Sequence, residues 1–155
     1  MIALLDDAAT RAAGAAIAHH VQAGDAIALV GDLGAGKTTL VSGLVAELAG
    51  PPVSSPTFSL VNEYATRRFA IWHVDLYRLE REAELRELGL DDIVGNRLGF
   101  CVIEWADNFA VMPPDHLRLE LAHIDAGRSL VATGTGPRGR AFASAVVDEL
   151  LGSKP

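Results

Sequence analysis

The order of apolar and polar positions divides the chain into strands and helices. Ala26-Ile27-Ala28-Leu29-Val30 is a continuous apolar run that enters a glycine-rich turn. That is the pattern of a strand covered on both faces. Gly99-Phe100-Cys101-Val102-Ile103 repeats it and ends at Glu104-Trp105. Phe58 to Tyr64 and Phe69 to Asp75 read as two strands joined by the polar turn Ala65-Thr66-Arg67. Leu117 to Ile124 and Ser129 to Thr133 alternate around Asp125-Ala126-Gly127, which predicts a hairpin.

The helical pattern appears four times. Asp6 or Asp7 caps an alanine-rich helix that runs to about Gln22 and is closed by Gly24. A second helix runs from Lys37 to Ala49 and stops at Gly50-Pro51-Pro52. A third, acidic and amphipathic, covers Leu79 to Leu88 before Gly89, and a fourth covers Arg140 to Leu151. Short adjacent strands among buried ones require antiparallel pairs. The expected fold class is therefore α/β, a three-layer sandwich on a mixed parallel and antiparallel sheet.

Composition narrows this picture. A chain of 155 residues, half of them hydrophobic, suits one packed domain over 1–155. The net charge of −7 repels phosphate backbones, so any nucleic acid is expected to be reached only indirectly, through a partner. The single cysteine, Cys101, lies in an apolar run and reads as a core residue, which suits a reducing cytoplasm. The first residues lack a basic stretch and are broken by Asp6 and Asp7, unlike a signal peptide. No run of about 18 apolar residues exists, so no membrane association is expected.

Gly31-Asp32-Leu33-Gly34-Ala35-Gly36-Lys37-Thr38 fits the phosphate-loop pattern G-x₄-G-K-[ST] in full, between a predicted strand and a predicted helix. The glycines let Leu33, Gly34, Ala35 and Gly36 curl so that backbone N–H groups form an anion nest. The helix adds its positive end. Lys37 is then expected at the β- and γ-phosphates of ATP, Thr38 on Mg²⁺, and Thr39 on the α-phosphate side. This makes the expected fold P-loop NTPase-like.

A second acid for the metal should stand at the end of a neighbouring buried strand. Asp75 and Glu104 are the two candidates. The strand before Glu104 is the more continuously apolar, which favours Glu104 for the metal, directly or through water. Asp75 is then the candidate to orient the attacking water or to support the metal from behind. Ser55-Pro56-Thr57 follows where a switch segment would stand: Thr57 either senses the γ-phosphate or simply opens a strand. His73 reads as packed, and His19-His20 as solvated. Arg78 lies just past the strand ending at Asp75.

GDLGAGKTT, SPTFSLVNEY, HVDLYR and VIEW, in that order, resemble the TsaE family over about Asp6 to Arg128. The resemblance implies a bacterial P-loop ATPase with a mixed sheet. Its hydrolysis resets a TsaB–TsaD complex that forms threonylcarbamoyladenosine on tRNA. It also implies that Lys37 and Thr38 hold phosphate and Mg²⁺, Glu104 is the second metal acid with Trp105 beside it, and Asp75 is needed for hydrolysis. The base and sugar are expected near the first helix and the turn Gly127-Arg128.

Three rivals share parts of this pattern. A small-metabolite kinase needs an acceptor pocket and usually a basic lid, for which only 13 basic residues are available. A GTPase needs an Asn-Lys-x-Asp segment, which is absent. A module that holds ATP as a structural prop has no need of Asp75 and Glu104 together.

Overall fold

A computed structural model describes residues 1–152. Its centre is a seven-stranded sheet made of β1 (Ile2–Leu4), β2 (Ala26–Val30), β3 (Val61–Ala65), β4 (Ala70–Asp75), β5 (Gly99–Glu104), β6 (His116–Ile124) and β7 (Gly127–Thr135). The strand order is β1-β7-β6-β2-β5-β4-β3. Parallel pairing joins β2 to β5 and β6, and β4 to β5. Antiparallel pairing joins β1 to β7, β6 to β7 and β3 to β4. The sheet is mixed, as its short strands predicted.

Among the described residues five α-helices flank it: α1 (Asp7–His20), α2 (Lys37–Glu47), α3 (Glu82–Glu87), α4 (Leu90–Ile93) and α5 (Gly136–Gly152). Ile27, Leu29, Ile71, Phe100, Val102 and Leu119 point to one face, against α1, α2 and α5. Ala28, Val74, Cys101 and Ile103 point to the other, against the helical turns around Leu90 and Ile93. Cys101 is fully buried, and burial pushes its thiol up to about 12, so it stays an uncharged core residue.

The α1–α2 contact fixes where the phosphate-loop motif lies. A Cβ on Gly14 would come within 2.1 Å of the Leu40 carbonyl oxygen, and one on Gly43 within 2.1 Å of the Arg11 carbonyl oxygen. The two helix backbones therefore touch directly, and only glycine allows it. Asp6, not Asp7, caps α1 by accepting from the Ala9 N–H at 2.8 Å.

Several boundaries move from their expected places. Helix α2 ends at Glu47, because Ala49 is left-handed (φ 60°) and Gly50 bonds back to the Val45 carbonyl. The expected strand from Phe58 begins only at Val61. Leu60 donates to the Pro56 carbonyl at 2.7 Å and is itself left-handed, which leaves Phe58 81% exposed. The expected helix from Leu79 begins at Glu82, with Arg81 and Glu84 bonded across its first turn, and a separate turn of helix follows Gly89. The last helix begins at Gly136, earlier than Arg140. Its first turn is capped by a residue distant in sequence, since the Arg138 N–H donates to Asp115 Oδ1 at 2.8 Å. Arg138 also reaches Asp25 at 3.0 and 2.6 Å, pinning α5 to the foot of β2. His19 and His20 are not simply solvated. His19 bonds Glu47 of α2 and Glu149 of α5, and His20 bonds Glu149.

Candidate functional site

Strand β2 hands the chain to a turn in which Gly34 (φ 80°) and Gly36 (φ 103°) take the left-handed conformation that side chains disfavour. Gly36 is the N-cap of α2 and brings no side chain to cap it. The first N–H groups of α2 therefore present their partial positive charge at the mouth of the turn. A cleft of about 320 Å³ opens there. Its floor is Leu33, Gly34, Gly36, Lys37, Thr38 and Thr39. Ala35, between them in the loop, does not line the cleft: it is fully buried, its N–H bonds the Asp32 carbonyl, and it packs in the core.

Parallel pairing of β4 with β5 sets Asp75 directly opposite Glu104 in register, and both line the cleft. Asp75 is held on both oxygens. Oδ1 accepts from the Tyr77 N–H at 2.8 Å, and Oδ2 accepts from Thr57 Oγ1 at 3.3 Å. Glu104 is held as well, by His73 Nε2 at 2.6 Å on Oε2, while Lys37 Nζ lies 3.4 Å from Oε1. The lysine also sits 4.7 Å from the centre of the Trp105 ring, and Tyr77 packs on that ring at 4.9 Å. Trp105 is left-handed (φ 59°), a strained backbone for a bulky residue that turns its ring back over Lys37.

At the β1–β7 side, the cleft is lined by Leu4, Leu5, Asp6, Asp7, Thr10, Gly127 and Arg128. Arg128 donates to the carbonyls of Gly34 (3.0 Å) and Gly127 (3.1 Å), so it braces the glycine turn directly. The arrangement brings an amine, five hydroxyls, four carboxylates and a guanidinium to one cleft. Hard oxygen donors beside an uncapped helix end suit a phosphorylated ligand carrying a divalent ion.

The motif residues, Asp75, Glu104, Trp105 and Arg128 thus meet in one place, apart from Gly31, Asp32 and Ala35. Thr57 does so too, but through Asp75 and a turn, not by opening a strand. Arg78 stays outside: it is exposed, and its guanidinium lies 4.3 Å over the Phe58 ring. His73 is packed, as its sequence reading says, yet its bond to Glu104 escaped that reading. The available signal was the spacing His73-x-Asp75, which puts both side chains on one face of a strand. The contribution of Leu4 and Leu5 was hidden because β1 has only three residues and pairs with a strand far along the chain.

Comparison with known proteins identifies relatives of this chain and of its fold. The family model for the threonylcarbamoyl adenosine biosynthesis protein TsaE matches residues 4–130. A Nostoc protein described as tRNA threonylcarbamoyladenosine biosynthesis protein TsaE is 39% identical, with 81% of this chain and 80% of that protein covered. A Bacillus subtilis protein of the same description is 37% identical, covering 83% and 82%. The crystal structure of Bacillus subtilis YdiB superposes with a TM-score of 0.76 at 27% identity, over 93% of this chain and 90% of that one.

Proposed function

This chain belongs to the TsaE family of threonylcarbamoyl adenosine biosynthesis proteins, and on that premise we propose that it binds and hydrolyses ATP with Mg²⁺ in the cytoplasm, in the service of a TsaB–TsaD complex that modifies tRNA. The observation that carries this reading is the meeting of Lys37, Thr38, Asp75 and Glu104 in one cleft at the uncapped end of α2. An ATP phosphate chain fits the open space at Gly34, where a Cβ would meet nothing within 4 Å.

The roles follow from chemistry. The nest and Lys37 bind the β- and γ-phosphates. Thr38 and Glu104 are the oxygen donors for Mg²⁺. The ion supplies neutralisation of phosphate charge when bound. Among the described residues no group of three or more His, Cys, Asp or Glu could hold a metal, and Mg²⁺ shared with phosphates needs fewer. Asp75, buried and fixed by Tyr77 and Thr57, orients the attacking water. Leu4, Leu5 and Arg128 offer an apolar and cationic seat for base and sugar on the other side of the loop. No helix among the described residues is long and apolar enough to cross a membrane.

The test is nucleotide binding with and without Mg²⁺, followed by ATPase rate alone and with TsaB–TsaD. Mg²⁺-dependent ATP binding, slow turnover alone and faster turnover with the pair are expected. Absence of Mg²⁺-dependent binding, or rapid phosphorylation of a small metabolite in place of a response to the pair, would overturn the proposal.

A further inference from the structure

We infer that His73 is a positioning residue for Glu104, a role that rests on the nucleotide reading above and extends it to a residue outside the cleft. His73 lies on β4 between β3 and β5, opposite Asn62 on one side and Val102 on the other. It shares the face of Ile71 and Asp75, and it is wholly inaccessible to solvent. Its Nε2 makes a 2.6 Å hydrogen bond to Glu104 Oε2.

The other ring nitrogen, Nδ1, is buried and has no hydrogen-bond partner among the described residues. The nearest polar aromatic neighbour does not help it: the Tyr64 ring is 6.2 Å away, and its hydroxyl donates to the Ser54 carbonyl at 2.9 Å. A carboxylate only accepts, so the proton of this bond is carried by Nε2. A residue present for packing alone would be better as an apolar ring, because each buried polar atom left unpaired is unfavourable. Among the described residues, the one hydrogen bond this ring makes goes to the carboxylate that faces Lys37.

The bond decides how Glu104 is presented. With Oε2 fixed from behind, Oε1 is the oxygen turned towards Lys37, at 3.4 Å. When Lys37 leaves it for phosphate, Oε1 stays aimed into the cleft without a search over side-chain rotamers. A free glutamate would have to lose that freedom on each binding event. Such partners behind a ligand commonly tune its affinity for metal.

The test compares His73→Phe, which keeps a ring but no donor, with His73→Gln, whose amide N–H reaches the place of Nε2–H. Nucleotide affinity is measured in EDTA and across a Mg²⁺ titration, together with thermal stability. In EDTA, H73F should bind as wild type does. Its half-effective Mg²⁺ concentration should rise about 10- to 100-fold, and H73Q should restore most of it. Should H73F fail to fold, His73→Asn replaces it, because its amide falls nearer Nδ1; H73Q should then keep the Mg²⁺ response and H73N lose it. A wild-type Mg²⁺ response in H73F, or equal losses in Mg²⁺ and EDTA for all variants, overturns the inference alone. A wild-type chain with no Mg²⁺ response overturns the nucleotide reading and this inference with it.

Discussion

Lys37 Nζ stands 3.4 Å from Glu104 Oε1, so the phosphate-loop lysine rests against the acid at the end of the neighbouring strand. Both side chains are nearly buried, and the amine has the Trp105 face as its other neighbour. A phosphate chain in the cleft offers Lys37 more negative charge than one carboxylate does. Nucleotide binding should therefore draw the amine away and leave Glu104 facing the cleft. Replacing Lys37 by Ala removes both the phosphate partner and this exchange. Hydrolysis should fall about 100- to 1,000-fold, as when a charge-stabilising donor is deleted. ATP titrations and single-turnover rates on Lys37→Ala check this; unchanged values would remove the lysine from the site.

Asp75 and Glu104 occupy paired positions in register but have different neighbours, so their isosteric amides should separate two effects. Glu104→Gln keeps an acceptor for His73 but removes the charge. It should weaken Mg²⁺-dependent nucleotide affinity. Asp75→Asn leaves the Lys37–Glu104 end intact and should lower kcat with ATP still bound. Isothermal titration with and without Mg²⁺, beside steady-state rates, distinguishes them. Loss of metal dependence in the Asp75 variant and its retention in the Glu104 variant would reverse the assignment.

The fold and the membership of the cleft were partly legible in the sequence. The phosphate-loop motif is local, and β2, α2, β4 and β5 follow from uninterrupted patterns that local physics decides. What escaped the sequence depends on partners far along the chain. The three residues of β1 become a strand only by pairing with β7. The start of α5 is set by Asp115, not by its own first residues. The Phe58 segment has strand-forming residues, yet the Pro56 carbonyl captures the Leu60 N–H and makes a turn instead. His73 looked inert because its meaning lies in Glu104, which arrives from another strand.

His19 offers a pH test of how the helices are held. Both ring nitrogens face carboxylates, Glu47 at 2.9 Å and Glu149 at 2.6 Å, and carboxylates only accept, so both nitrogens carry protons. The bonds to Glu47 and then Glu149 raise its pKa above the ordinary 6.5. A raised folded value means the stabilisation is complete below the unfolded value of 6.5 and is lost as pH rises through the folded one. With the side chain 45% exposed, solvent screening keeps the contribution to about 0.2–1 kcal/mol. The melting temperature of His19→Ala should thus fall below wild type near pH 6 and approach it near pH 9, as expected for a histidine charge. An equal difference at both pH values would mean that the ring stabilises by packing.

Thr57 Oγ1 donates to Asp75 Oδ2 at 3.3 Å and lies 2.8 Å from Ser55 Oγ. This ties the exposed loop carrying Phe58 to the carboxylate proposed to act on water. Asp75 is tied in turn to the Tyr77 N–H, and Arg78 next to it covers the Phe58 ring. Whatever enters the cleft beside Asp75 therefore bears on both surface segments through two hydrogen bonds and one stacked pair. If ATP and ADP favour different arrangements here, a partner resting on Phe58 and Arg78 will bind them with different affinities. Thr57→Val keeps the shape of the side chain and removes the donor, so the loop is released from Asp75 while the phosphate loop is untouched. The ratio of TsaB–TsaD affinities in ATP and ADP should then collapse towards one from a wild-type ratio in the range of about 5- to 150-fold. ATP affinity of the isolated chain should change much less. Binding titrations with the TsaB–TsaD pair in each nucleotide give the answer. A Thr57→Val chain that keeps the full wild-type ratio would show that the signal leaves the cleft by another route.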